Sequence, residues 1–261
     1  MPVNVKAELV KKEFLKDDIC RMCIKSPEIA KSAKPGQFLE IRVVDNVEPL
    51  LRRPISIYNA DETTGEVEFI FQIKGKGTDL LSNRNVGEQI DVLGPLGYGT
   101  FKFDGYKNVA IIGGGIGIFP LHELSKRAKA AGVNSNIYIG FRNKDLVVLE
   151  DEFTAVCDNL VLATDDGSYA RSGFAINFLK EDVKKNRPDC IYACGPLPML
   201  KAIQAFAKEE NIPCQISLEE RMACGMGVCL GCAVKYVENG TEQYKHVCKN
   251  GPVFNAENVE I

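Results

Sequence analysis

Residues 109–120 read Val-Ala-Ile-Ile-Gly-Gly-Gly-Ile-Gly-Ile-Phe-Pro. A short apolar run, Val109 to Ile112, passes without a polar interval into a turn of four glycines, Gly113, Gly114, Gly115 and Gly117. Such a run bounded by glycine is the pattern of a buried strand. Pro120 then suits the first turn of a helix, where a missing N–H costs nothing. Glycines at a strand-to-helix turn let the backbone approach a pyrophosphate, whose charge is favoured at a helix N-terminus. The spacing departs from G-x-G-x-x-G because the last glycine, Gly117, comes one residue early, and no acidic residue closes the next strand. An ordinary dinucleotide fingerprint is therefore excluded, and a turn that serves only packing stays open.

Downstream, strand and helix alternate. Asn136 to Phe141, Asn159 to Ala163 and Cys190 to Ala193 are strand candidates, with helices over Pro120 to Ala131, Gly173 to Lys180 and Pro198 to Glu209. This alternation predicts a parallel sheet covered on both faces. Two further loops, Thr164-Asp165-Asp166-Gly167-Ser168 and Ala193-Cys194-Gly195-Pro196, follow predicted strands and so sit at carboxyl ends, where open α/β sheets bind ligands.

Upstream the pattern is all-β. Lys6 to Leu15, Ile19 to Lys25, Gln37 to Val44, Ile55 to Asn59, Glu66 to Ile73 and Gln89 to Leu93 are short strands separated by Gly-, Asp- and Asn-rich turns, which predicts a small antiparallel barrel interrupted by one helix beginning near Thr78. Within it, Arg53-Pro54-Ile55-Ser56 lies in a strand and Gly75-Lys76-Gly77-Thr78 leads into a helix over Asp79 to Asn83. An arginine beside a Thr-capped helix start is suited to a second pyrophosphate; alone, each is equally a surface arginine and a routine cap.

Beyond Arg221 the chain is rich in Gly and Cys and has no periodic segment able to form a core, so it needs a staple. Cys224, Cys229 and Cys232 give C-x4-C-x2-C, and Cys248 follows after fifteen intervening residues. This is plant-type spacing for a [2Fe-2S] cluster. Gly225, Gly227 and Gly231 let the backbone wrap so that N–H groups face a negatively charged centre. Four thiolates also suit structural zinc, although zinc sites usually present two C-x2-C knuckles and only Cys229 and Cys232 form one here. Cys20 and Cys23, three apart in a strand, point to opposite faces. Cys157, Cys190 and Cys214 read as small buried hydrophobes.

The net charge of -3, with both signs interspersed, leaves no electrostatic footprint for nucleic acid. The N-terminus lacks a signal-peptide pattern and the longest apolar stretch is too short to span a bilayer, so a soluble, cytoplasmic protein is expected. In a reducing compartment the ten cysteines would not pair as disulfides. The fold class expected is α+β and multi-domain: an antiparallel β-barrel over 1–103, an α/β parallel-sheet nucleotide domain over 104–217 and a small cluster-binding segment over 218–261.

Together these residues resemble the ferredoxin-NADP reductase superfamily over nearly the whole chain. The resemblance implies an FAD site in the barrel formed by Arg53, Pro54, Ile55, Ser56, Ile70, Phe71, Gln72, Gly77 and Thr78, with Arg53 on the pyrophosphate and Ser56 near flavin N5. It implies a nicotinamide-nucleotide site formed by Gly114, Gly115, Gly117, Asp166, Gly195 and Pro196, with Cys194 beside the nicotinamide. Ser56 and Cys194 thus become the catalytic candidates, and Cys224, Cys229, Cys232 and Cys248 the iron ligands. The family's flavin-stacking aromatic in R-x-Y-S is Ile55 here.

The segment Leu218 to Cys232 is similar to electron-transfer subunits of two-component, NAD-dependent (class 1B) dihydroorotate dehydrogenases. That similarity implies FAD and a [2Fe-2S] cluster as cofactors, NAD as substrate, and a partner catalytic subunit carrying flavin mononucleotide in a heterotetramer of pyrimidine (UMP) biosynthesis. No site for the second substrate, with its own base, is visible in this chain, and apolar residues from Met222 to Leu230 are expected to dock the partner. Two other readings stay open. One is a related FAD/[2Fe-2S] NAD(P)H oxidoreductase subunit of the ferredoxin reductase, sulfide dehydrogenase or hydrogenase type, in which Arg142 would accommodate a 2'-phosphate. The other is a zinc-stapled module that senses nucleotide.

Overall fold

A computed structural model describes residues 1–44 and 48–261, which divide into two compact units interleaved along the chain. The first comprises residues 1–100, 219–233 and 245–252; the second comprises 101–218, 234–244 and 253–261.

In the first unit, β1 (Val3–Lys16), β2 (Ile19–Lys25), β3 (Phe38–Arg42), β4 (Arg53–Asp61), β5 (Glu66–Gln72) and β6 (Gln89–Leu96) close into an antiparallel barrel of order β1-β2-β5-β4-β3-β6. Alternation along each strand fills its interior: Leu39, Ile41 and Val43 point inward beside Leu9, Met22, Ile24, Ile57, Val67 and Phe69. Two helices interrupt the strands rather than one. The helix α1 (Pro27–Ser32) buries only Ile29 and Ala30, too few apolar positions to show a helical period; its sequence signals are Ser26 at the cap position with Pro27 and Glu28 in the first turn. The other, α2 (Lys76–Ser82), begins earlier than expected, so Thr78 lies inside its first turn and Gly75 occupies the cap position. The Thr78 hydroxyl accepts from the N–H groups of Lys74 (2.9 Å) and Gly75 (3.3 Å), the reaching-back half of a capping box.

The second unit carries β7 (Asn108–Gly114), α3 (Phe119–Ala130), β8 (Asn134–Phe141), α4 (Glu150–Ala155), β9 (Asn159–Thr164), β10 (Arg171–Ser172), α5 (Ala175–Val183), β11 (Cys190–Cys194), α6 (Leu197–Glu209) and β12 (Cys214–Ser217), with the hairpin β13 (Ala233–Glu238) and β14 (Thr241–His246) and the edge strand β15 (Val253–Asn255). The sheet order is β10-β9-β8-β7-β11-β12-β15, parallel except where β15 pairs antiparallel with β12. From β7 the chain builds outward through β8 and β9, then returns to place β11 on the other side of β7. That reversal makes the carboxyl ends of β7 and β11 the topological switch point, where such sheets open a crevice. The C-terminal segment is more ordered than its composition suggests, because β15 gains its hydrogen bonds from an existing sheet instead of from a core of its own. Among the described residues no helix is long and apolar enough to cross a membrane.

Candidate functional site

The cysteine loop lies with the barrel. Cys224 is half-buried, Cys229 exposed, and Cys232 and Cys248 are buried. Backbone N–H groups are aimed at three of the four sulfurs. Val228 and Cys229 donate to Cys224 Sγ at 3.3 and 3.4 Å, Gly227 donates to Cys248 Sγ at 3.1 Å, and Cys248 donates to Cys232 Sγ at 3.4 Å. Burial alone pushes the Cys224 thiol up, but the N–H groups of Cys229, Met226 and Val228 together bring it down to about 6, so the loop favours a thiolate there before any metal arrives. Burial and the neighbouring Cys232 push Cys248 up to about 12. Gly225 (φ +67°) and Gly227 (φ +81°) supply the left-handed turns that point these amides inward.

The donor set is four thiols, whose C-x4-C-x2-C spacing with a distant fourth cysteine suits a centre of two iron atoms, each taking two cysteines, better than the paired C-x2-C knuckles of structural zinc. Cys248 is fixed by its own segment: Tyr98 N–H donates to Lys249 O (3.1 Å) and Gly99 N–H to Gly251 O (2.9 Å), tying it to the end of β6.

On the barrel, Arg53 opens β4 and its guanidinium lies over Gly77. A Cβ on Gly77 would fall on the Arg53 guanidinium, so a side chain there would displace it. Arg53 also donates to Leu51 O. Arginine and the first turn of α2 are thus brought together, as the anion-site reading requires. Ser56 is half-buried and Pro54 exposed on the same strand. Ile55 and Phe71 point into the barrel core, Ile70 is buried outside it, and the Gln72 amide donates to Asp18 at 2.6 Å.

In the α/β unit, Gly117 packs on Gly195. A Cβ at Gly117 would meet Gly195 Cα at 2.5 Å and Cys194 O at 2.7 Å, and one at Gly114 would meet Met199 Sδ at 2.9 Å and Pro196 Cδ at 3.1 Å. Gly115, at φ +54°, has nothing within 4 Å of its Cβ position. Gly114 and Gly117 lock the turn to the Cys194-Gly195-Pro196 loop, as the packing reading expects, and Gly115 faces open space. Cys194 is buried at the end of β11. Asp166 is exposed, and its carboxylate accepts from Ser168 Oγ (2.6 Å) and N (2.9 Å), bonds that hold it below the usual carboxylate range. Arg142 follows β8 and its charge acts on the neighbouring Asp165, whose carboxyl burial raises.

The remaining cysteines stand apart. Cys20 belongs to the barrel core while Cys23 faces Glu66, and burial pushes their thiols up to about 11 and about 12; Cys190 is likewise pushed up to about 12. Such thiols, held protonated, are poor nucleophiles. One residue at the cluster loop escaped sequence reasoning. Glu40 on β3 is 1% exposed, with both carboxylate oxygens lacking a hydrogen-bond partner, and burial pushes its carboxyl up to about 7 despite the opposing charges of Arg52 and Arg53. Its strand position alternates with core residues and so reads as solvent-facing.

Comparison with known proteins agrees with this geometry. Residues 6–103 match the model of the oxidoreductase FAD-binding domain, and residues 219–260 match the iron-sulfur cluster binding domain of dihydroorotate dehydrogenase B. The chain is 42% identical over 230 residues to the dihydroorotate dehydrogenase B (NAD(+)) electron transfer subunit of Lysinibacillus sphaericus, covering 87% of each chain. It is 39% identical over 249 residues to that of Bacillus cereus, covering 94% of each. Among solved structures, that of an NADH-dependent reduced ferredoxin-NADP oxidoreductase, described for flavin-based electron bifurcation, superposes with a TM-score of 0.86 at 33% identity, over 98% of this chain and 90% of the other. The cytochrome b5 reductase domain of Ulva prolifera nitrate reductase, at 20% identity and a TM-score of 0.63 over 76% of this chain and 89% of that one, shares the fold.

Proposed function

Because the chain belongs to the family of dihydroorotate dehydrogenase B (NAD(+)) electron transfer subunits, we propose that it shuttles electrons between NAD and a catalytic partner subunit through FAD and a [2Fe-2S] cluster. The observation that carries this reading is the loop of four thiols, with N–H groups already aimed at three of the sulfurs, on the same unit as the arginine and helix turn suited to a flavin pyrophosphate. When bound, the flavin exchanges hydride with the nicotinamide and passes single electrons to the cluster.

The protein's own residues bind and orient. Arg53, Gly77 and Thr78 hold the FAD pyrophosphate, with Pro54, Ser56, Ile70 and Gln72, and the backbone of the core residues Ile55 and Phe71, along the isoalloxazine. Gly114, Gly115, Gly117, Asp166, Gly195 and Pro196 form the nicotinamide-nucleotide site, and Ser56 and Cys194 are the side chains nearest the hydride transfer. Cys224, Cys229, Cys232 and Cys248 hold the irons. The flavin half is assigned to residues 1–103, the nucleotide half to 104–217 and the cluster segment to 218–261.

The partner carries FMN and oxidises dihydroorotate to orotate, in a cytoplasmic heterotetramer. Met226, Val228 and Leu230 are exposed on the cluster loop, at 50%, 75% and 58%, and supply an apolar surface for its docking. The structural likeness to a ferredoxin-NADP oxidoreductase at 33% identity supports a second reading, a related subunit with another electron acceptor. The higher identity to the dihydroorotate dehydrogenase subunits favours the first.

A Cys229→Ser variant tests the division of labour. Reduction of the bound flavin by NADH is expected to persist in stopped-flow absorbance, while electron transfer to the partner subunit falls at least a hundredfold. Loss of flavin reduction as well, with FAD still bound, contradicts it.

A further inference from the structure

Glu40 stands where an ordinary barrel would place a solvated side chain. On β3, Leu39 and Ile41 enter the core, so Glu40 projects from the outer face, yet it is 1% exposed. The cysteine loop covers it: a Cβ on Gly225, the residue after Cys224, would fall 2.5 Å from Glu40 Cγ and 2.7 Å from Oε1. The same residue pairs in register with Pro54 of the Arg53-to-Ser56 strand. Glu40 therefore joins the strand next to the flavin motif with the loop that carries Cys224.

A buried carboxyl with neither oxygen hydrogen-bonded is costly, and proteins keep such groups where they perform a task. The charged groups facing it are otherwise engaged. Arg52 donates to Asp91 Oδ1 (2.7 Å) on β6 and to the Glu40 backbone carbonyl (3.3 Å), and Arg53 is held over Gly77 and bonded to Leu51 O. On the loop side it meets Gly225, which carries no charge. Glu40 is thus a lone acidic group in a low-dielectric pocket, pressed on the cluster loop and neutralised by no dedicated partner.

We propose that Glu40 is a positioning residue that sets the reduction potential of the iron-sulfur centre, its carboxylate on the flavin-side strand opposing the addition of an electron to the cluster behind Gly225. The proposal rests on the four cysteines holding a [2Fe-2S] cluster. In a poorly screened pocket a unit negative charge disfavours a further negative charge nearby by Coulomb repulsion. Its effect is to keep electrons moving between flavin and partner instead of resting on the cluster.

The test is an EPR-monitored redox titration, at pH 8.5, of the full chain with its cofactors. Glu40→Gln keeps the shape and removes the charge. It is expected to favour the reduced cluster about tenfold, which is about 59 mV upward for a one-electron couple, with iron and acid-labile sulfide unchanged. A fully loaded Glu40→Gln protein with an unchanged or lowered potential overturns the proposal. Should that variant fail to retain iron, Glu40→Asp, which withdraws the charge by one methylene, decides: a smaller upward shift supports the proposal and an unchanged potential overturns it. A wild-type chain lacking iron and sulfide would instead refute the cluster reading itself, so the two failures are distinguishable.

Discussion

Gly77 shows how a single missing atom shapes the flavin half. Arg53 occupies the space that a side chain at position 77 would need, so guanidinium and the first turn of α2 lie together. Gly77→Ala is expected to displace Arg53 and weaken FAD binding about tenfold, about 1.4 kcal/mol, read as FAD retained per chain after gel filtration. Unchanged retention would remove Arg53 from the pyrophosphate site. At this scale the sequence was only partly legible. Arg53, Gly77 and Thr78 stood out by type and spacing, but the closeness of Arg53 to Gly77 depends on β4 and α2 meeting in space. Glu40 was hidden for the same reason, since alternation along β3 cannot report a loop that arrives from residues 219–233 to cover it.

At the level of elements, strands and helices with strong apolar periods were readable nearly to their ends; Ile19–Lys25 matches its expected range and Leu197–Glu209 starts one residue early. Short elements were not. α1, α4 and β12 have six, six and four residues, too few for a period to emerge. β15 depends on a partner distant in sequence, whereas Asn239-Gly240 between β13 and β14 is a local hairpin signal that the sequence does carry. The glycine turn after β7 illustrates the remaining ambiguity, because packing and ligand approach call for the same residue. Gly117→Ala separates them: its Cβ would strike the Gly195 backbone and part the loops following β7 and β11. The variant should raise KM for NADH at least tenfold and lower stability by about 1–3 kcal/mol, while FAD content stays at the wild-type level. An unchanged KM would leave this turn with a packing role alone.

For the molecule as a whole, the chain order of its parts differs from their order in space. Residues 219–233 and 245–252 belong with the barrel, whereas 234–244 and 253–261 belong with the α/β sheet. Cys224, Cys229, Cys232 and Cys248 fall in the stretches that belong with the barrel, which puts cluster and flavin candidates in one unit while the nucleotide turn sits in the other. This arrangement suits a relay in which the nicotinamide hands over an electron pair and single electrons leave by the cluster. Its central requirement is that the four thiols hold two irons rather than one zinc. The most direct measurement is an assay of iron, acid-labile sulfide and FAD on one anaerobically purified sample. About two irons and two sulfides for each FAD are predicted; FAD at one per chain with neither iron nor sulfide would contradict the account.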